Sequence, residues 1–290
     1  MTQNRFLLRV LAFIAVLALL VFCVWKAVTW TRDDLCHHPE ATTLVLGNSR
    51  VQYGVDDSLM PGTWNSAVNA DNYNVIYWRL KMLHQRNPQL QRVMVICDQT
   101  QVYNYFKNIP DKVHPYYWDV MSFEDWWGLV THDSGILLNP LHYLKILLPL
   151  KSLVSPISYQ DLGIGGYTRL ERDKLSEDQA LKDRDASRKS VPQIHAYNVS
   201  YLRKIYDYCQ EQSLQLIFFN MPSYPTQGII EGNQHLHQFV EENYPDVPFY
   251  DYELMQLPDS CYGDASHLNY RGARIISEKI AEEIRKASSR

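Results

Sequence analysis

Thr42-Thr43-Leu44-Val45-Leu46-Gly47-Asn48-Ser49-Arg50 is the stretch that decides how the rest of the chain is read. An uncharged run of β-branched residues and leucine has the composition of a strand buried on both faces, and Gly47 ends it in a turn. The pattern recurs downstream. Residues 63–68, 92–97, 214–219 and 247–251 predict further strands. Helical patterns lie between them, over 71–86 (stopped by Asn87-Pro88), 197–212, 232–244 and 270–287. Strands alternating with helices predict βαβ units and a parallel sheet. Any ligand is then expected beyond the carboxyl ends of the strands.

Upstream of that stretch the composition changes. Val10 to Trp25 is sixteen residues without a charged or polar side chain, inside a longer apolar segment over 6–30. At about 1.5 Å per residue, 6–30 is long enough to cross a hydrocarbon core of about 30 Å. Arg9 and Lys26 sit near its ends, where long side chains reach the headgroups, and Trp25 and Trp30 suit the interface. Phe22-Cys23-Val24-Trp25 is too bulky for signal cleavage. The segment therefore reads as a single-pass anchor in a cytoplasmic membrane. Arg5 and Arg9 place the N-terminus inside and the body outside. The expected organisation is a tip and anchor over 1–32, a linker over 33–41 and an α/β domain over 42–288.

Charge divides at the same place. The 290 residues hold 28 Lys and Arg against 32 Asp and Glu, with 46% hydrophobic and 21% charged residues. Residues 1–32 carry four basic groups and no acid, so the remainder is acidic. An acidic body offers no electrostatic footprint for nucleic acid, which excludes that class of partner. Ordinary globular usage excludes wholesale disorder and disulfide-dense mini-folds. The five cysteines form no C-x-x-C pair, so zinc ribbons and redox motifs lack support, while one or two disulfides stay open. Cys97 closes an apolar run and reads as a small buried hydrophobe. No metal-binding spacing occurs, since His235 and His237 fall on different faces of a helix; no metal or other cofactor is expected.

Two places carry chemistry. Ser49 follows the first strand at the functional edge of the predicted sheet, with Gly47 allowing the tight turn. Asp264-Ala265-Ser266-His267 precedes the last helix. A serine hydroxyl needs an imidazole to take its proton, and the imidazole needs a carboxylate to fix its tautomer. Taken separately, Ser49 also reads as a turn or capping serine, and Asp264 as a helix cap beside a surface histidine.

Together Gly47-Asn48-Ser49 and Asp264-x-x-His267 resemble the first and last blocks of the SGNH/GDSL hydrolase superfamily, over about residues 42–288. The longer opening and the anchor are closest to its membrane-anchored cell-envelope branch, which includes alginate O-acetylation proteins and the D-alanyl transfer protein of teichoic acid synthesis. The resemblance implies a flavodoxin-like three-layer α/β fold with Ser49 as nucleophile, His267 as base and Asp264 orienting it. It also implies an oxyanion hole built by Ser49 with Asn69 or the Ala70 amide. Where the family's third block supplies an asparagine this chain has Cys97-Asp98-Gln99-Thr100, and Asn220 lies on the same edge.

Residues 101–191 break the alternation and read as a helical lid insertion, with an apolar helix over 141–150 and a charged stretch over 175–190. Nine of twenty-five residues from Tyr103 to Trp127 are aromatic. Tyr103, Trp118, Trp126 and Arg169 are the residues expected to meet a substrate from the lid; aromatic rings stack on sugars, or else seal the lid's own core or rest on the membrane surface. The function expected is a serine esterase or O-acyltransferase acting on a cell-envelope glycan or acylated polymer, working beside envelope-assembly proteins. The alternative is an inactive relative that binds or assembles such a glycan.

Overall fold

In the computed structural model, residues 3–105, 117–132, 164–172, 175 and 193–288 are described. Five strands form one parallel sheet: β1 (Thr43–Leu46), β2 (Thr63–Asn65), β3 (Arg92–Ile96), β4 (Gln215–Asn220) and β5 (Phe249–Asp251), in the order β2-β1-β3-β4-β5. That is the flavodoxin-like strand order, with the reversal between β1 and β3. The register runs Leu44 opposite Trp64 and Val93, then Met94 opposite Ile217 and Phe219 opposite Tyr250. All of β1 is buried, as are the last four residues of β3 and the last five of β4, as a strand covered on both faces requires.

The covering helices are α2 (Ser49–Gly54), α3 (Tyr73–Arg86), α4 (Gln99–Tyr103), α5 (Phe123–His132), α6 (Ala196–Glu211), α7 (Gln227–Asn243) and α8 (Tyr270–Ser288). α3 packs on α6, and α8 packs on α2. Each predicted strand and helix of the sheet framework is present, with shifted ends. The strand predicted over 63–68 stops at Asn65, because residues 66–70 turn out of the sheet. α7 begins five residues before its predicted start, where Thr226 caps it by accepting from the Ile229 amide.

The long apolar segment belongs to α1 (Gln3–Leu35). Its stretch Arg5–Val24 has a mean hydropathy of 3.0 and none of it is buried, so it is long and apolar enough to cross a membrane as an anchor or to serve as a signal sequence. The linker expected over 33–41 is shorter than the sequence suggested, because α1 continues through Leu35 and the chain turns only at Cys36. Cys36 is fully buried, and its carbonyl accepts from Asn87 Nδ2 at 2.7 Å.

None of the five cysteines is joined in a disulfide. Burial pushes the Cys97 thiol well above its ordinary range, in keeping with its reading as a small buried hydrophobe. The helix expected over 141–150 lies outside the described residues, and so does the charged stretch over 175–190 apart from the buried Leu175.

Candidate active site

The serine is set by the end of β1. Gly47 is pressed so closely on the first turn of α2 that a Cβ would overlap the Val51 side chain and meet Ile96 of β3. Asn48 caps α2: its Oδ1 accepts from the Arg50 amide at 3.0 Å, while its Nδ2 donates to Asp98 at 3.1 Å. Ser49 is thereby the first helical residue and faces the crevice above the carboxyl edge of the sheet.

The histidine comes from the loop before α8. Asp264 Oδ1 accepts from the amides of Ser266 at 2.8 Å and His267 at 3.0 Å, folding the loop back on itself. The same carboxylate faces His267 Nδ1 at 2.9 and 3.0 Å. A carboxylate only accepts, so Nδ1 carries the proton and Nε2 presents its lone pair. Nε2 lies 2.8 Å from Ser49 Oγ, positioned to accept from that hydroxyl. Tyr53, one turn along α2, meets the imidazole edge-on at 5.4 Å. Ser49 and the Asp264–His267 pair, more than two hundred positions apart in sequence, are thus in hydrogen-bonding succession, with His267 and Asp264 22% and 17% exposed at their side chains.

A crevice of about 340 Å³ opens beside them, walled by Ser49 and His267, by Asn69 and Ala70, and by Gln99 and Thr100 among others. Ala70 has φ 55°, a left-handed conformation that costs a non-glycine residue about 1 kcal/mol or more. The loop is held there from below. Arg79 of α3 pairs with Asp71 at 2.5 Å, both side chains being buried, and donates to the Ser66 carbonyl at 3.1 Å. The Asn69 amide is occupied by Gln52 Oε1 at 2.8 Å. The amides of Ser49 and Ala70 have no acceptor among the described residues, and both residues line the crevice.

The third-block position is filled differently. Asp98 caps α4 and is buried, and Gln99 Nε2 donates to the Ile229 carbonyl and to Glu253, both at 2.9 Å. Both amide hydrogens of Gln99 are therefore used within the protein. Asn220 sits beneath the crevice: its Oδ1 accepts from Arg50 at 3.1 Å and its Nδ2 donates to Glu253 at 3.0 Å. It belongs to a network around Arg50, whose guanidinium also meets Asp98 at 3.2 Å, Glu253 at 3.5 Å, Ser223 at 2.7 Å and the Met221 carbonyl.

The residues expected from the lid lie elsewhere. Tyr103 packs against the core at the end of α4, and Trp118 and Trp126 pack edge to face at 5.7 Å. Arg169 is exposed, paired with Glu171 and stacked on the Tyr270 ring at 3.9 Å. None of the four lines the crevice. The aromatic pairs fill gaps beside the body, the bland alternative their composition allowed. Two cationic residues escaped the sequence reading. Arg50 sat in plain sight beside the serine, with carboxylates at the ends of two other strands as its signal. Arg172, whose guanidinium pairs with Asp264, stands in a stretch with no periodicity and carried no signal.

A family model without a functional description matches residues 169–289, less than half of the chain. No curated protein matches. Among solved structures, a GDSL-like lipase from Bacteroides thetaiotaomicron is 11% identical, covering 84% of this chain and 88% of that one, at a TM-score of 0.39. An active-site mutant of a family two carbohydrate esterase from Clostridium thermocellum is 9% identical, covering 86% of this chain and 64% of that one, at a TM-score of 0.42.

Proposed function

We propose that this chain is a membrane-anchored serine esterase or O-acyltransferase of the SGNH type, acting on an acylated cell-envelope polysaccharide. One observation carries the reading: the 2.8 Å approach of His267 Nε2 to Ser49 Oγ, with Nδ1 held on the Asp264 carboxylate. In the proposed reaction Ser49 Oγ attacks the acyl carbonyl while its proton passes to His267 Nε2. Asp264 stabilises the imidazolium without taking the proton. The oxyanion that forms is met by the Ser49 and Ala70 amides, the two lining donors left without an acceptor among the described residues. The tetrahedral intermediate collapses as His267 returns the proton to the leaving alkoxide, which departs as an alcohol. The acyl-serine is then opened by water or by a sugar hydroxyl, deprotonated by the same imidazole. Serine and neutral histidine are thus regenerated.

The membrane assignment is supported by the apolar, unburied stretch of α1, and Arg5 and Arg9 at its N-terminal end favour a cytoplasmic N-terminus with the body outside. The test is turnover of p-nitrophenyl acetate by the full chain in detergent micelles. Wild type is expected to hydrolyse it, and Ser49→Ala and His267→Ala to lose about 10³-fold or more. Equal turnover by wild type and Ser49→Ala would overturn the assignment.

A further inference from the structure

The stretch 164–172 touches every loop that carries the site. At its start the Ile164 carbonyl accepts from Ser66 Oγ. Gly165, at φ +79°, lies so close to the chain that a Cβ would overlap the Ala67 carbonyl, and the Gly166 amide donates to that carbonyl at 3.2 Å. In its middle the Thr168 amide donates to the Gln52 carbonyl of α2 at 2.8 Å, and Gln52 Nε2 donates to Thr168 Oγ1 at 3.2 Å. At its end the Leu170 carbonyl accepts from the Tyr270 amide at 3.0 Å, and Gly263 lies against Leu170 and the Arg172 carbonyl. Arg172 then pairs with the Asp264 carboxylate through Nη2.

We propose that residues 164–172 form a strap that fixes the serine helix, the Ala70 loop and the aspartate–histidine loop relative to one another, and that Arg172 is a positioning residue setting the basicity of His267 through Asp264. The proposal rests on the triad reading for its catalytic meaning, although its electrostatic content does not.

The charge argument has a definite sign. His267 is faced by Asp264 from its own loop, by Ser49 and Tyr53 from α2, and by Arg172 from the strap; Arg50 and Glu253 lie across the crevice. Arg169 and Glu171 on the strap pair with each other. Arg172 shares the carboxylate on which the imidazolium depends, and adds a positive charge nearby. Both effects disfavour protonated His267. The Arg172 side chain is 44% exposed, so solvent screens the interaction and the expected displacement is modest.

The test uses the full chain in micelles with ¹³C-labelled histidine, following the His267 ring signal against pH and assigning it by its loss in His267→Gln. Arg172→Met should raise the His267 midpoint by about 0.5 to 1 pH unit, and Arg172→Lys should restore most of the wild-type value. The acid limb of kcat/KM for p-nitrophenyl acetate should move upward by the same amount, with kcat falling several-fold and KM little changed. An unmoved or lowered midpoint in a folded Arg172→Met overturns the proposal. A raised midpoint in Arg172→Met, found together with a wild-type chain that turns over no ester, supports the electrostatic role of Arg172 while overturning the triad reading.

Discussion

Ser49 and Arg50 are neighbours in sequence and belong to opposite regimes. Arg50, on the crevice wall, turns inward to a buried network with Asp98, Glu253, Asn220 and Ser223, where its side chain is 8% exposed and the two carboxylates are 0% and 1% exposed. Ser49 points outward to His267 and Asp264, whose cationic neighbour Arg172 is 44% exposed. Both places set a guanidinium against carboxylate. On the inner side the groups are buried, and although Asn48, Gln99 and Asn220 also donate to the carboxylates, removal of Arg50 takes away their cation and leaves them buried and uncompensated. On the outer side water screens the pair, and what the charge controls is protonation rather than folding. The comparison teaches that the inner network holds the carboxyl ends of β1, β3, β4 and β5 in register, while the outer one tunes the groups displayed on them.

The sharpest way to break this comparison is Arg50→Met. It strands Asp98 and Glu253 in the interior and should cost about 3–5 kcal/mol in urea denaturation. A loss below about 1 kcal/mol would mean that the inner network is not the stabilising one.

Gly165→Ala comes next. It asks for a side chain at φ +79° and against the Ala67 carbonyl, and should cost about 1–3 kcal/mol. Ester turnover should fall more than stability does, because the displaced backbone is that of the Ala70 loop. Arg172→Met should leave stability within about 0.5 kcal/mol of wild type, measured in the same denaturation series, even as it moves the pH profile.

The smallest effect concerns His38 and His84, both pushed below the ordinary histidine value by burial; a neighbouring His37 adds to the effect at His38. The unfolded chain binds protons at these positions before the folded one does. Stability from them is therefore full above about pH 6.5 and declines as pH falls toward the folded values. His38→Phe should flatten that decline slightly in denaturation midpoints measured from pH 7.5 to 5.5. The ring stacks on Trp64 at 3.9 Å, a contact phenylalanine preserves.

The sheet was legible because its strands are short apolar runs between helical periods, and local pattern is enough to find them. Ends were less legible where a side chain competes with the ladder. Asn65 ends β2, its side chain accepting from the Ala67 amide at 2.9 Å, and Asp71 is taken out of the predicted helix into its pair with Arg79. At the site, the residue types at the two sheet-edge loops pointed to Ser49, His267 and Asp264. The oxyanion side was ambiguous because backbone amides have no sequence signature. Tyr103, Trp118, Trp126 and Arg169 do not line the described crevice, and aromatic richness reports apolar area without saying what covers it. Gly165-Gly166-Tyr167-Thr168-Arg169 reads as a turn with an arginine, but Arg172 and the contacts of the strap were not legible, because they join residues about a hundred positions apart, largely through backbone groups.

The central claim is that Ser49 is a nucleophile activated by His267, and covalent capture tests it most directly. The full chain is incubated with a fluorophosphonate and the modified peptide is mapped by mass spectrometry. The account predicts one adduct on Ser49, formed at a rate that falls steeply in His267→Ala. Labelling elsewhere, or no labelling of a folded chain, would contradict it.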